Sequence, residues 1–330
     1  MDTFISWLCH SQIPRRAAVM LVALAWCSLA FCGEIHDAAM NGDLVKVKTL
    51  LANGADVNAK ANNDVTPLDI AAVHNNKEIA QLLLAKGADV NAKTSDGQTA
   101  LHAASAFNAT DVAELLLAKG ADVNAKSKAG MTPLYIAAMR NAKDVAGLLL
   151  AKSADLNASD NDGFTPLYAA ASNNAKEVAE LLLAKGADVN AKTKSKNVNT
   201  ETNGADVNSS ANNGEMPAKS PTMNYNMDLS PSAWPASGRT PLQSAANENA
   251  KDVAALLLAK GADANAKDNY GYTALHYAAW NNSKDVVELL LAKGADVNAM
   301  DNNGTPPLRL AVKWHSDDVA ALLRAHGAKE

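Results

Sequence analysis

Cysteine is scarce in this 330-residue chain, and its three copies, Cys9, Cys27 and Cys32, all fall within the first 32 residues. Everything downstream must hold its shape without disulfides and without thiolate metal ligands. Aromatic residues are also rare, at 5% against 48% hydrophobic overall, so the apolar content is mostly Ala, Leu and Val. Such a core is assembled from many small contacts between short helices. A surplus of positive charge is missing too: the formal net charge is -5, which argues against a nucleic-acid partner. Zinc-type Cys/His spacing, a G-x-x-x-x-G-K-S loop and a G-x-G-x-x-G turn between a strand and a helix do not occur. The sequence therefore predicts no cofactor, no metal and no enzymatic activity.

What is present begins with a leader. Arg15 and Arg16 precede an apolar run from Ala17 to Phe31, followed by small residues suited to cleavage after Ala30 or just before Gly33. Residues 1–32 read as a secretory signal peptide, because the run is short for spanning about 30 Å of hydrocarbon. The expected location is secreted or periplasmic. A lipoprotein modified at Cys32, or an uncleaved N-terminal anchor, is the alternative; Phe31 is bulky for the position before a lipidated cysteine.

Beyond the leader a period governs the chain. Gly-Ala-Asp stands at Gly54, Gly87 and Gly120, continues as Ser153-Ala154-Asp155, and returns at Gly186, Gly261 and Gly294, spaced by 33 residues except for one interruption. A second landmark keeps the same register, with T-P-L-D at Thr66, T-A-L-H at Thr99 and Thr273, T-P-L-Y at Thr132 and Thr165, and T-P-L-Q at Thr240. Eight units result, over 33–192 and 238–330.

These motifs resemble the ankyrin repeat, in a plain style similar to an exported, bacterial-type member of that family. The resemblance implies an α-dominated repeat solenoid, each unit a β-hairpin finger followed by two antiparallel helices. The residues support this by themselves. Threonine caps the first helix, and the proline after it loses nothing at the first helical position. Gly42, Asn75, Asn108, Asn141, Asn174, Asn249 and Asn282 tolerate the left-handed backbone that ends it. Val112, Leu115 and Leu116 then line one face of a second helix, which Gly120 stops. Asp64 and Ser153 occupy glycine positions, where a positive φ would cost roughly 1 kcal/mol. His102 and His276 are expected to brace the finger through backbone and threonine, not to act as a catalytic pair.

Residues 193–237 break the period. Pro217, Pro221, Pro231 and Pro235, many Asn and Ser, and a single leucine, Leu229, predict a disordered insertion leaving the solenoid at a finger.

In the resembling family, partners dock on the finger tips and the exposed, concave face of the first helices. The offsets that differ between units there carry Phe107, Met131, Met139, Arg140, Phe164, Arg239, Tyr270, Tyr272, Trp280, Lys313 and Trp314. Aromatic and arginine side chains are common interface anchors. The plainer reading is that Trp280 and Trp314 only cover the C-terminal units. The predicted function is a non-catalytic, monomeric protein-binding module with no membrane partner beyond the N-terminal segment. A structural spacer or self-associating scaffold, or an exported effector acting on a target protein, is the alternative.

Overall fold

The computed structural model describes residues 33–194 and 238–329; the expected leader and most of the expected insertion lie outside these residues. Among the described residues sixteen α-helices form eight pairs. They are α1 (Glu34–Met40), α2 (Leu44–Ala52), α3 (Pro67–Val73), α4 (Lys77–Ala85), α5 (Ala100–Ala106), α6 (Thr110–Ala118), α7 (Pro133–Arg140) and α8 (Lys143–Ala151) in the first four units. The last four contribute α9 (Pro166–Ser172), α10 (Lys176–Ala184), α11 (Pro241–Asn247), α12 (Lys251–Ala259), α13 (Ala274–Trp280), α14 (Lys284–Ala292), α15 (Pro307–Lys313) and α16 (Asp317–Ala325). Odd-numbered helices stack on odd and even on even, giving a two-layered solenoid.

Local chemistry sets each boundary. Thr66, Thr132, Thr165 and Thr240 accept from the backbone N–H three residues on, at 3.2–3.3 Å. The predicted left-handed asparagines all have positive φ, between 50° and 55°. Asp64 and Ser153 do adopt positive φ, 58° and 62°. One continuous core runs along the stack, with Leu68, Leu101, Leu134, Leu167, Leu242 and Leu275 buried from the first helices. Small alanines such as Ala104, Ala137 and Ala170, fully buried, let neighbouring first helices approach closely.

The second helices hold a surprise. Four of the eight begin after an alanine that cannot cap. Their cap comes from the preceding unit: Val112 N–H donates to Asn75 Oδ1 at 3.1 Å, Val145 to Asn108 at 3.1 Å, Val178 to Asn141 at 3.2 Å and Val253 to Asn174 at 3.4 Å. Each asparagine thus ends its own first helix and satisfies an orphan amide of its neighbour's second. Another ladder runs along the loops, where Asn58 and Asn91 accept from Asp89 and Asp122 N–H and donate to the Gly87 and Gly120 carbonyls.

The fingers correct the expectation of β-hairpins: no strand is assigned among the described residues. Five residues are too few for a ladder. In one finger Thr94 N–H donates to the Gln98 carbonyl at 2.9 Å and Gly97 N–H to the Thr94 carbonyl at 2.8 Å. Successive fingers are stitched side by side instead, as by Lys128 N–H to the Asp96 carbonyl at 2.8 Å and Asn161 N–H to the Ala129 carbonyl at 3.0 Å. Gly130 needs its hydrogen for two reasons, a φ of +80° and a neighbour so close that a Cβ would lie 2.5 Å from Asn161 Oδ1.

At the sixth unit, Thr193 N–H donates to the Arg239 carbonyl at 3.0 Å and Arg239 N–H to Thr193 Oγ1 at 2.9 Å. This is the closure of an ordinary finger, made across the interruption. The stack passes it without a break: Asp263 N–H reaches Asn190 Oδ1 at 3.0 Å, and the Ser172 and Ser244 hydroxyls are 2.7 Å apart.

Candidate binding surface

The residue four places along each T-P-L-x motif decides how units join on the finger side. His102 Nδ1 accepts from Thr99 N–H at 3.1 Å, which leaves Nε2–H to donate to the Met131 carbonyl of the next unit at 3.0 Å. His276 repeats the arrangement toward Thr305. Gln243 does the same with an amide: its Oε1 accepts from Thr240 N–H and its Nε2 donates to the Ala266 and Tyr272 carbonyls. Burial holds both imidazoles at a pKa of about 4, so they are neutral braces at physiological pH. Among the described residues no group of three His, Cys, Asp or Glu is placed to hold a metal ion.

The eleven residues singled out from the sequence divide into three sets. Arg239 and Tyr272 are corrected: they are 6% and 3% exposed and belong to the interior. They share the position before the capping threonine with Val65, which is also buried, and with Met131 and Phe164, which are half-buried. Arg239 lies over the ring of Tyr277, 4.8 Å from its centroid, and Tyr277 Oη donates to Asp268 Oδ2 at 2.5 Å. Tyr272 meets His276 and Tyr277 edge to face, at 5.4 and 6.0 Å. Burial pushes the Tyr277 phenol well up, against the nearby guanidinium. This cluster spans the sixth and seventh units, and sequence reasoning missed Tyr277 and Asp268.

Met131 and Phe164, half-buried at the bases of fingers, and Tyr270, half-buried at the tip of one, form the second set. Phe164 leans on Tyr168 with ring centroids 4.6 Å apart, and Tyr270 on Tyr272 at 6.4 Å. They edge the surface but are partly committed to packing.

The third set lies at the C-terminal ends of the first helices. Phe107 is 43% exposed, with Met139 and Arg140 half-buried one unit further on. Arg140 Nε is buried without a hydrogen-bond partner, and burial lowers its pKa. At the far end Trp280 and Trp314 stack face to face, with centroids 5.1 Å apart and planes 5° from parallel. Lys313 Nζ lies 5.9 Å from the Trp314 ring centroid. Between the two ends the row is small and polar, with Asn281 donating to Asn247 at 2.7 Å and Asn247 to Glu248 at 3.0 Å. The surface therefore offers two apolar ends separated by an amide and carboxylate stretch.

No curated protein matched the sequence. Among solved structures, the crystal structure of the human ASB11 ankyrin repeat domain is similar, with a TM-score of 0.60 and 25% identity over 80% of this chain and 99% of that one. Sequence profiles described as ankyrin repeats in three copies match residues 35–127, 126–193 and 219–301, and a profile described as ankyrin repeats in many copies matches 282–324. Profile coverage of most of the chain, with the helix pairs and the structural likeness, places it in the ankyrin-repeat family.

Proposed function

We propose that the chain is an exported, non-catalytic binding module that captures a folded protein on its concave first-helix face. Ankyrin repeats are in general protein–protein interaction modules. The observation that carries the reading for this chain is the stacked Trp280–Trp314 pair. Two of the largest side chains stay half-exposed on a row whose interior neighbours are mostly Ala, Asn and Ser. Phe107, Met139 and the half-buried Arg140 provide a second anchor. Desolvated arginine and aromatic groups of this kind dominate binding energies in protein interfaces.

The test is capture of a partner by the purified chain and by Trp314→Ala and Phe107→Ala variants, with Glu114→Ala on the opposite helix layer as the control. The concave variants are expected to lose at least about tenfold in affinity, the loss of one interface anchor. Capture that survives in both, or fails equally in the control, defeats the assignment. Export rests on the leader, residues 1–32; N-terminal sequencing of the protein recovered outside the cytoplasm is expected to begin at Phe31 or Gly33. An intact Met1 in that fraction would favour an anchor.

A further inference from the structure

We propose that copies of this chain stack head to tail, the C-terminal edge of one against the N-terminal edge of the next, through edges of opposite charge pattern. The internal repeat shows which positions face a neighbour. At the N-terminal edge, Glu34 and Asp37 on α1 stand where the next unit buries Pro67 and Ile70, and exposed Lys46 on α2 stands where Ile79 and Val112 are buried. At the C-terminal edge, Arg309 on α15 replaces the His276 that braces the following unit, and Lys313 replaces the Trp280 that stacks on it. Asp317 on α16 replaces the basic residue found at this position in Lys251. The first-helix layer is thus acidic at one end and basic at the other, and the second-helix layer is the reverse.

The register of contacts inside the stack turns this pattern into pairs. Ser172 and Ser244, whose hydroxyls are 2.7 Å apart, occupy the offsets of Lys313 in one copy and Asp37 in the copy that follows. Lys251 Nζ reaches Asp285 at 3.0 Å, and the same two offsets bring Asp317 against Val45, with Lys46 beside it. Apolar surface is available at both edges: Val45 is 76% exposed where the other units carry an acid, and Val312 is 46% exposed where Ala279 is buried. The register inside the stack sets the C-terminal edge of each unit on the N-terminal edge of the next, so a contact that continues it is heterologous and builds open rows or rings. This departs from the monomer the sequence suggested; Lys313 also borders the Trp314 ring of the candidate binding surface, so self-association is read on the chain alone, with no partner present.

Sedimentation velocity on the full chain over a range of concentrations tests the proposal. Concentration-dependent association is expected at low salt, weakening on the order of tenfold between about 50 mM and about 500 mM salt as the charge pairs are screened. Asp37→Lys and Lys313→Asp should each abolish it while the circular dichroism spectrum is kept. Mixing these two variants should restore it, because every junction between unlike chains regains opposite charges. A chain that stays monomeric at low salt, or association indifferent to both substitutions, overturns the proposal. Should Asp37→Lys fail to fold, Lys313→Asp on the exposed edge decides alone.

Discussion

His102, His276 and Gln243 do the same work with different chemistry, and the difference is visible to protons. Burial keeps both imidazoles at a pKa of about 4 in the folded chain, below their ordinary 6.5. Between those values the unfolded chain binds protons that the folded chain refuses, so stability falls as the pH drops through this window, by up to about 3 kcal/mol per ring. Asp69 works in the opposite sense. Burial raises its pKa to about 6 from 3.8, so between those values the folded chain holds the extra proton and acidification favours folding. Burial raises Asp160 and Asp268 in the same sense as Asp69, but the two rings are displaced furthest, and thermal unfolding should show a lower midpoint at pH 4.5 than at pH 7.5. A His102→Gln, His276→Gln double variant, copying Gln243, should keep its midpoint at pH 7.5 within a few degrees and lose much of the acid sensitivity. The structural role of these histidines was legible from the T-A-L-H motif. The second role of the asparagines was not, because a residue read as a helix stop gives no sign that its amide caps a helix some 37 positions away.

At the scale of the element, the finger is where sequence and structure differ most. Alternation that would specify a strand cannot develop in five residues, so each finger closes on itself with a short turn and is joined to its neighbour by single hydrogen bonds. The same shortness bears on Arg239 and Tyr272, read as surface contacts but carried inward by the turn before the capping threonine, where Met131 and Phe164 stay half-buried. Phe107, Trp280 and Trp314 were legible because they lie at helix ends, where the 3.6-residue period fixes the exposed side. The sixth finger keeps its closing hydrogen bonds although 45 residues separate Thr193 from Arg239. Replacing 195–237 by one aspartate would give the five-residue form seen from Asp160 to Phe164. The shorter loop should stabilise folding by about 2 kcal/mol through reduced closure entropy, read as a higher urea midpoint at an unchanged fold. A large loss of stability would mean that the removed segment packs on the stack.

For the whole molecule, the eight units were legible because the period repeats the same demands in each, while the direction of every side chain across a unit boundary needed the stack itself. Contacts run between neighbours, so stability is close to a sum of unit and junction energies. Leu182, fully buried in α10 beside the interrupted finger, sits at the junction of the fifth and sixth units. Leu182→Ala should cost about 3 kcal/mol. It should also uncouple the two sides, so that hydrogen exchange under mild denaturant exposes units six to eight and units one to five at different urea concentrations. A single shared transition would show that coupling reaches beyond adjacent units. The asparagine ladders add a final property. Asn58, Asn91 and their equivalents recognise main-chain groups, which are the same whatever residue stands opposite. Any unit can therefore follow any other without a matching change in its neighbour, and a chain built this way can be lengthened, shortened or reordered by recombination in whole modules while its surface letters drift freely.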